Sequence, residues 1–331
     1  MPILDLMNLE KTKISRDLRD KYILLYGQPK CGKTTFAAQC PNNLIFCFEK
    51  GLNFIDGVYG VDISKWSDFK ALLKQLDKPE VKEKYHTVTI DTISIAWDLC
   101  AKYICDSNGV KTISDIAWGK GYALLKDEFA NALRQISMMG YGIILIAHSK
   151  TRLEKIDDDH SQEIVAPNIP DRAQDVVNAL VDIIGYIDVK FKEGGSGSEA
   201  VRTLITRQSP TVMAGSRLKY LAPQIPFGYD TLVEAIDEAI SKQGAEGATI
   251  VDKQEKTEVI ANRPFADAME EARTLWDKLI TNETNEDVKM ANFAKVNDII
   301  EEVCKKPIRI SDLTEDQTDL LEIIIDQMKS L

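Results

Sequence analysis

YILLYGQPKCGKTTF, residues 22–36, decides the fold. Its first part is a short apolar run closed by Gly27, the pattern of a buried strand, and GKTTFAAQC after it reads as a helix. Between them, Gly27-Gln28-Pro29-Lys30-Cys31-Gly32-Lys33-Thr34 satisfies G-x-x-x-x-G-K-[ST] at every fixed position. A chance match in a glycine turn would not carry a strand before it and a helix behind it. The residue types follow from the chemistry of phosphate. Backbone N–H groups of Pro-flanked and Gly-flanked peptides turn inward as an anion nest at the helix N-terminus, and the Lys33 ammonium reaches the outer phosphates. The Thr34 hydroxyl is placed to ligate Mg2+, with Thr35 beside it. Gly27, Pro29, Lys30, Cys31, Gly32, Lys33, Thr34 and Thr35 are therefore the expected cradle for ATP.

Outward from this loop the chain alternates strand and helix patterns, which builds a parallel sheet covered on both faces. LIFCFE (44–49), TVTID (87–91) and GIILIAH (142–148) read as further buried strands. WSDFKALLKQLDK (66–78), 93–105 and 118–138 read as helices, and the span 106–121 is polar. A long polar loop is expected over 151–172, then a helix AQDVVNALVDII (173–184). GYIDVKFK and AVRTLITRQ, parted by GGSGSE (194–199), predict a hairpin, with a third strand near Arg217–Leu221, so the sheet is expected to end in antiparallel strands. The fold class is thus α/β: a mainly parallel sheet with helices on both faces, antiparallel strands at one edge, and a small C-terminal helical unit. The expected partition is 1–21 as an N-terminal segment, 22–243 as the core, 244–262 as a polar linker and 263–331 as the helical unit.

Composition removes several classes. A net charge of −11 argues against a protein that coats nucleic acid by overall attraction, although a local basic groove is compatible with it. The three histidines, His86, His148 and His160, are too far apart in sequence for a zinc finger, and the six cysteines contain no C-x-x-C pair. Reduced thiols are expected. No apolar run approaches the ~20 residues of a membrane span, and the start MPILDLMNLEKTK meets charge too early for a secretory signal, so the expected location is cytoplasmic, without membrane contact.

Asp91 ends TVTID, where a carboxylate holds Mg2+ opposite Thr34. Hydrolysis also needs a group that orients and deprotonates water. Position 92 is Thr, which points away from AAA+ and ABC-type designs with an acid directly after that aspartate. Glu49, at the carboxyl end of the strand after the P-loop helix, is the remaining candidate base.

GQPKCGKTT, FEKGL, TVTIDTIS, WGKGY and ILIAHSK together resemble RecA-like P-loop ATPases. More closely they resemble phage-encoded nucleotide-binding proteins of the AAA_24 type and the compact Sak-type recombinases. The resemblance spans about residues 20–235 and leaves out the helical tail; its P-loop is specific, whereas the other segments are short. It implies that Glu49 is the catalytic glutamate, with Lys33 and Asp91, and that His148 of AHSK senses the γ-phosphate, against the simpler reading that it caps a buried strand. It also implies DNA-contacting segments at 106–121 and 150–172, offering Trp118, Lys120, Lys150 and Arg152, although Asp157, Asp158 and Asp159 there would repel phosphates. WGKGY reads equally as a helix start packing its rings. Arg217 and Lys219, with Arg207 as competitor, resemble the cations that such ATPases insert into a neighbour's site, and each also reads as a surface ion.

The implied function is an ATPase on single-stranded DNA, DNA-stimulated, assembled as a ring or filament, and active in phage-type strand annealing or exchange in the bacterial host cytoplasm. The alternatives are a replication accessory or helicase-loading ATPase working through a protein partner, a nucleotide-gated binding module, and a small-molecule kinase, which the acids after Arg152 disfavour. The apolar stripe Leu320, Leu321, Ile324, Ile325 and Met328 of the tail needs a covering surface, either within the tail or on a partner such as a single-strand-binding protein.

Overall fold

The computed structural model describes residues 11–116, 119–155, 161–194, 197–252, 264–329 and 331. The described residues divide into two compact units, 11–252 and 264–331.

The larger unit is a twisted sheet built around β2 (Tyr22–Gly27), the apolar strand of the opening motif. The short β1 (Ile14–Ser15) precedes it, and α1 (Lys33–Gln39) follows it. Then come β3 (Asn43–Cys47), β4 (Tyr59–Asp62), α2 (Trp66–Leu76), α3 (Pro79–Lys84), β5 (Thr87–Asp91), α4 (Ile93–Ser107), α5 (Lys120–Met138) and β6 (Gly142–Lys155). β7 (Ser161–Pro167), α6 (Asp171–Leu180), β8 (Ile183–Gly194), β9 (Gly197–Ile205), β10 (Gly215–Ser216), β11 (Gln224–Pro226), α7 (Tyr229–Ala245) and β12 (Ile250–Val251) complete it. The sheet order is β11-β9-β8-β2-β6-β5-β3-β4, parallel from β8 to β4 and antiparallel at the β9 and β11 edge. This is the expected α/β class, a RecA-like P-loop NTPase fold with one strand, β6, inserted between the P-loop strand and the Asp91 strand.

Strands buried on both faces explain the unbroken apolar runs. One face packs Trp66, Phe69, Trp97 and Phe129 from α2, α4 and α5 into a single cluster. Each such side chain, fully buried, contributes about 1.5–3 kcal/mol. The other face covers Leu25, Ile45 and Ile146 with Phe36 of α1 and Ile236 and Ile240 of α7.

Four expectations need correction. The segment after GIILIAH is not an irregular loop: β6 continues to Lys155 and pairs antiparallel with β7, from Ser149↔Pro167 to Lys155↔Ser161, as a two-stranded ribbon. Asp157, Asp158, Asp159 and His160 at its end lie outside the described residues. No strand occupies 217–221: that stretch turns, with Arg217 N–H bonded to Asp182 O at 2.8 Å, and the edge strands are β10 and β11. The helix over 173–184 stops at Leu180, because Asp182 joins the sheet through its N–H to Tyr22 O at 2.7 Å and its carboxylate to Tyr22 N–H at 3.0 Å. The core reaches further than 22–243 at both ends, since β1 and β12 pair in parallel and Ile14 and Ile250 pack on the α1 face.

The smaller unit contains α8 (Phe265–Trp276), a π-helical turn (Asp277–Thr281), α9 (Glu286–Cys304) and α10 (Thr318–Lys329). Leu321, Ile324, Ile325 and Met328 are buried against Ala268, Ala272, Val296 and Ile300, so the tail's stripe is covered within its own unit. All six cysteines are free thiols. Among the described residues no helix is long and apolar enough to cross a membrane.

Candidate functional site

Parallel strands deliver their carboxyl ends to one edge of a sheet, and here four adjacent strands deliver the site. β2 ends at Gly27, paired with His148 of β6. β5 ends at Asp91, paired with Cys47 of β3, and Glu49 follows two residues beyond Cys47. Phe48 N–H donates to Asp91 O at 2.6 Å, which pins the start of the Glu49 segment to the end of β5.

The phosphate loop turns through Lys30 (φ 64) and Gly32 (φ 102), both left-handed. Gly32 is there because that φ strains any side-chain-bearing residue. α1 begins directly at Lys33, leaving its first N–H groups facing the loop. Lys33 is buried, with Nζ donating to Gly27 O at 3.0 Å and Gln28 O at 2.8 Å and lying 3.8 Å from Cys31 Sγ. The cation therefore sits over the concave side of its own loop.

Thr34 Oγ1 donates to Asp91 Oδ2 at 2.6 Å, bringing together the two oxygens expected at Mg2+. Asp91 is buried, and burial foremost pushes its carboxyl pKa up. The Thr34 hydroxyl opposes this, the nearby Glu49 charge adds to it, and Lys33 and His148 counter it. A dication at this point would relieve the burial of the carboxylate. The Thr34 and Asp91 oxygens fit Mg2+, a cation that keeps several waters and takes phosphate oxygens alongside one or two protein groups.

Gly51 closes over this pair. Its N–H donates to Cys47 Sγ at 3.0 Å, and a Cβ built on it would stand 3.8 Å from both Asp91 Oδ2 and Thr34 Oγ1. Those are ordinary van der Waals distances, so the fold accepts alanine, whose methyl group takes the space of a hydrated cation. Gly51→Ala is expected to leave the melting temperature within about 2 °C while weakening magnesium-nucleotide binding about tenfold. Titrating magnesium at fixed nucleotide checks it, and an unchanged magnesium dependence would remove Gly51 from the site.

His148 Nε2 lies 3.0 Å from both oxygens of Glu49, and its Nδ1 is buried with no hydrogen-bond partner among the described residues. The structure thus brings Lys33, Thr34, Asp91, Glu49 and His148 to one edge. The other candidates lie apart from that cluster. Lys150 Nζ bonds Ile169 O at 3.2 Å, and Arg152 pairs with Glu154 at 2.6 Å, both on the ribbon. Lys120 is exposed at the start of α5, and Trp118 lies outside the described residues. Arg217 pairs with Asp182 at 3.1 Å, Lys219 with Glu246 at 2.9 Å, and Arg207 is exposed just beyond β9. Sequence reasoning missed Gly51, although the glycine two residues after Glu49 in FEKGL was a local signal.

The sequence model of the AAA_24 family, described as an AAA domain, matches residues 19–218. A protein of Bacillus subtilis (strain 168), the SPbeta prophage-derived uncharacterized protein YorG, is 27% identical over 343 aligned positions, covering 99% of this chain and 98% of its own length. The family description carries the AAA label although position 92 is Thr; in this chain the neighbouring acid is Glu49.

Proposed function

We propose, from the premise that this chain belongs to the AAA_24 family and is a nucleotide-binding ATPase, that it acts on single-stranded DNA as a RecA-like, Sak-type recombination protein. It hydrolyses ATP with Mg2+, in the cytoplasm of a bacterial host, and promotes annealing or exchange of strands. The observation that carries this reading is the single strand β6, which holds His148 at 3.0 Å from Glu49 and continues into the ribbon bearing Lys150 and Arg152. A polymer held on that ribbon is thereby linked by one backbone to His148, the side chain beside the hydrolytic carboxylate. The prophage origin of the Bacillus relative supports the phage setting.

In this reading the loop amides and Lys33 bind the phosphates, and Thr34 and Asp91 hold Mg2+, which neutralises the phosphate oxygens. Glu49 takes the proton of the attacking water, while His148 fixes the carboxylate. Arg217, Lys219 and Arg207 serve a neighbouring copy in a ring or filament; Arg217 and Lys219 would first leave Asp182 and Glu246. Trp118 and Lys120 join Lys150 and Arg152 on the DNA.

A second reading, a replication accessory or helicase-loading ATPase driven by a protein partner such as a single-strand-binding protein, is favoured by one observation. Lys150 and Arg152 are already engaged within the ribbon, in a chain of net charge −11. ATP turnover with and without single-stranded DNA separates the two, with Lys33→Ala as the background. The recombination reading expects about tenfold stimulation or more, falling steeply with salt as phosphate contacts are screened. Turnover indifferent to DNA, with no DNA retained at low salt, overturns it.

A further inference from the structure

Two groups reach the phosphate loop from the side of the sheet away from Asp91. A Cβ added to Gly32 would meet Phe227 Cε1 at 3.4 Å and Arg202 Nη1 at 3.9 Å. Neither is near the loop in sequence. β9 carries Arg202 two strands from β2, and Phe227 N–H donates to Arg202 O at 3.0 Å, so one backbone bond fixes the two residues together. Alternation along β9 puts Arg202 on the same face as Leu204, which is fully buried in the α1 cluster.

The two side chains differ in how they are held. The Phe227 ring stacks on Phe36 of α1, with centroids 5.5 Å apart and planes at 18°, while Tyr229 meets Phe36 edge-on at 5.8 Å. Phe227 is half-buried, leaving part of its ring open. Arg202 is exposed, and its guanidinium makes no hydrogen bond or ion pair among the described residues. A fixed ring and an uncommitted planar cation thus flank the loop glycine.

Direction decides what they can touch. Thr34 and Asp91 lie toward β6 and β5, whereas Arg202 and Phe227 lie toward β8, β9 and β11. A nucleotide whose outer phosphates and cation face Thr34 and Asp91 runs its sugar and base across the loop toward the opposite side. We infer that Arg202 and Phe227 form the wall for the nucleoside half of that nucleotide, the guanidinium and the ring flanking its base and ribose. This rests on the reading that residues 27–35 bind a nucleoside triphosphate. Every base has a π-face for the ring, and a guanidinium both stacks on flat aromatics and donates to ribose hydroxyls. Neither residue approaches Glu49, so both set affinity and leave the chemical step alone.

The test compares MgATP with magnesium tripolyphosphate, which has the phosphates but no nucleoside, in competition against a fluorescent ATP analogue. Arg202→Ala removes an exposed side chain, and Phe227→Leu keeps an apolar group against Phe36. Each substitution is expected to raise the Kd for MgATP about tenfold, leave that for tripolyphosphate within about twofold, and leave kcat unchanged. Unchanged ATP affinity in both variants overturns the inference, as does an equal loss for the two probes or a wild type that binds both equally tightly. A wild type that binds neither probe instead removes the nucleotide reading of the loop itself.

Discussion

Glu49→Gln is expected to bind MgATP within about twofold of the wild type and to turn it over on the order of a hundredfold more slowly or worse. The substitution keeps the shape of the side chain and an oxygen able to accept from His148 Nε2, which lies 3.0 Å from the carboxylate, so the segment after β3 keeps its place. What it removes is the basicity that takes a proton from water. Single-turnover hydrolysis alongside nucleotide titration separates the two effects. Undiminished turnover would exclude Glu49 as the base, and a parallel loss of binding would mean that it holds the nucleotide.

Lys33→Ala is expected to cost on the order of a hundredfold in nucleotide affinity, because a buried or half-buried charge-assisted bond to phosphate is worth about 1.5–3 kcal/mol. Turnover should fall to background. The same change strands Gly27 O and Gln28 O, which accept from Nζ at 3.0 and 2.8 Å. Some stability loss follows, about 1–3 kcal/mol if water does not reach those carbonyls. A melting curve measured without nucleotide shows whether the variant remains folded at the assay temperature. A folded Lys33→Ala that still binds ATP with wild-type affinity would mean that the loop is not its phosphate site.

The parts of this site that were legible in the sequence are those whose meaning is local. Gly27 to Thr34 states its chemistry by spacing alone, and Asp91 and Glu49 follow from apolar strands that end in an acid. The ribbon was hidden because β6 leaves the core after Ala147: beyond it most residues are polar on both faces, and Leu153, the apolar exception, is 71% exposed. With nothing to bury, the period-two signal of a strand fades. β4 was missed for the same reason, since Tyr59 and Gly60 are exposed at the sheet edge. RLKYL failed in the opposite sense. Its alternation is that of a strand, but Leu218 and Tyr220 pack on the α1 cluster from a turn. Arg202 is the limiting case, because only the hairpin of β8 and β9 carries it to Gly32, and nothing in its neighbours announces that.

The unbroken course of β6 also has a mechanical meaning. An extended strand has no slack: it rises about 3.3 Å per residue and does not stretch, so the arm from Ser149 to Lys155 reaches about 23 Å from the sheet. At its root, Tyr26 of the P-loop strand bonds the ribbon through Val165 O at 3.1 Å, which gives the arm a fulcrum. His148 is the residue immediately on the sheet side of that arm, and its distance to Glu49 is a single contact wide. The ribbon is therefore a long arm whose backbone runs without a break to the one ring that stands against the Glu49 carboxylate.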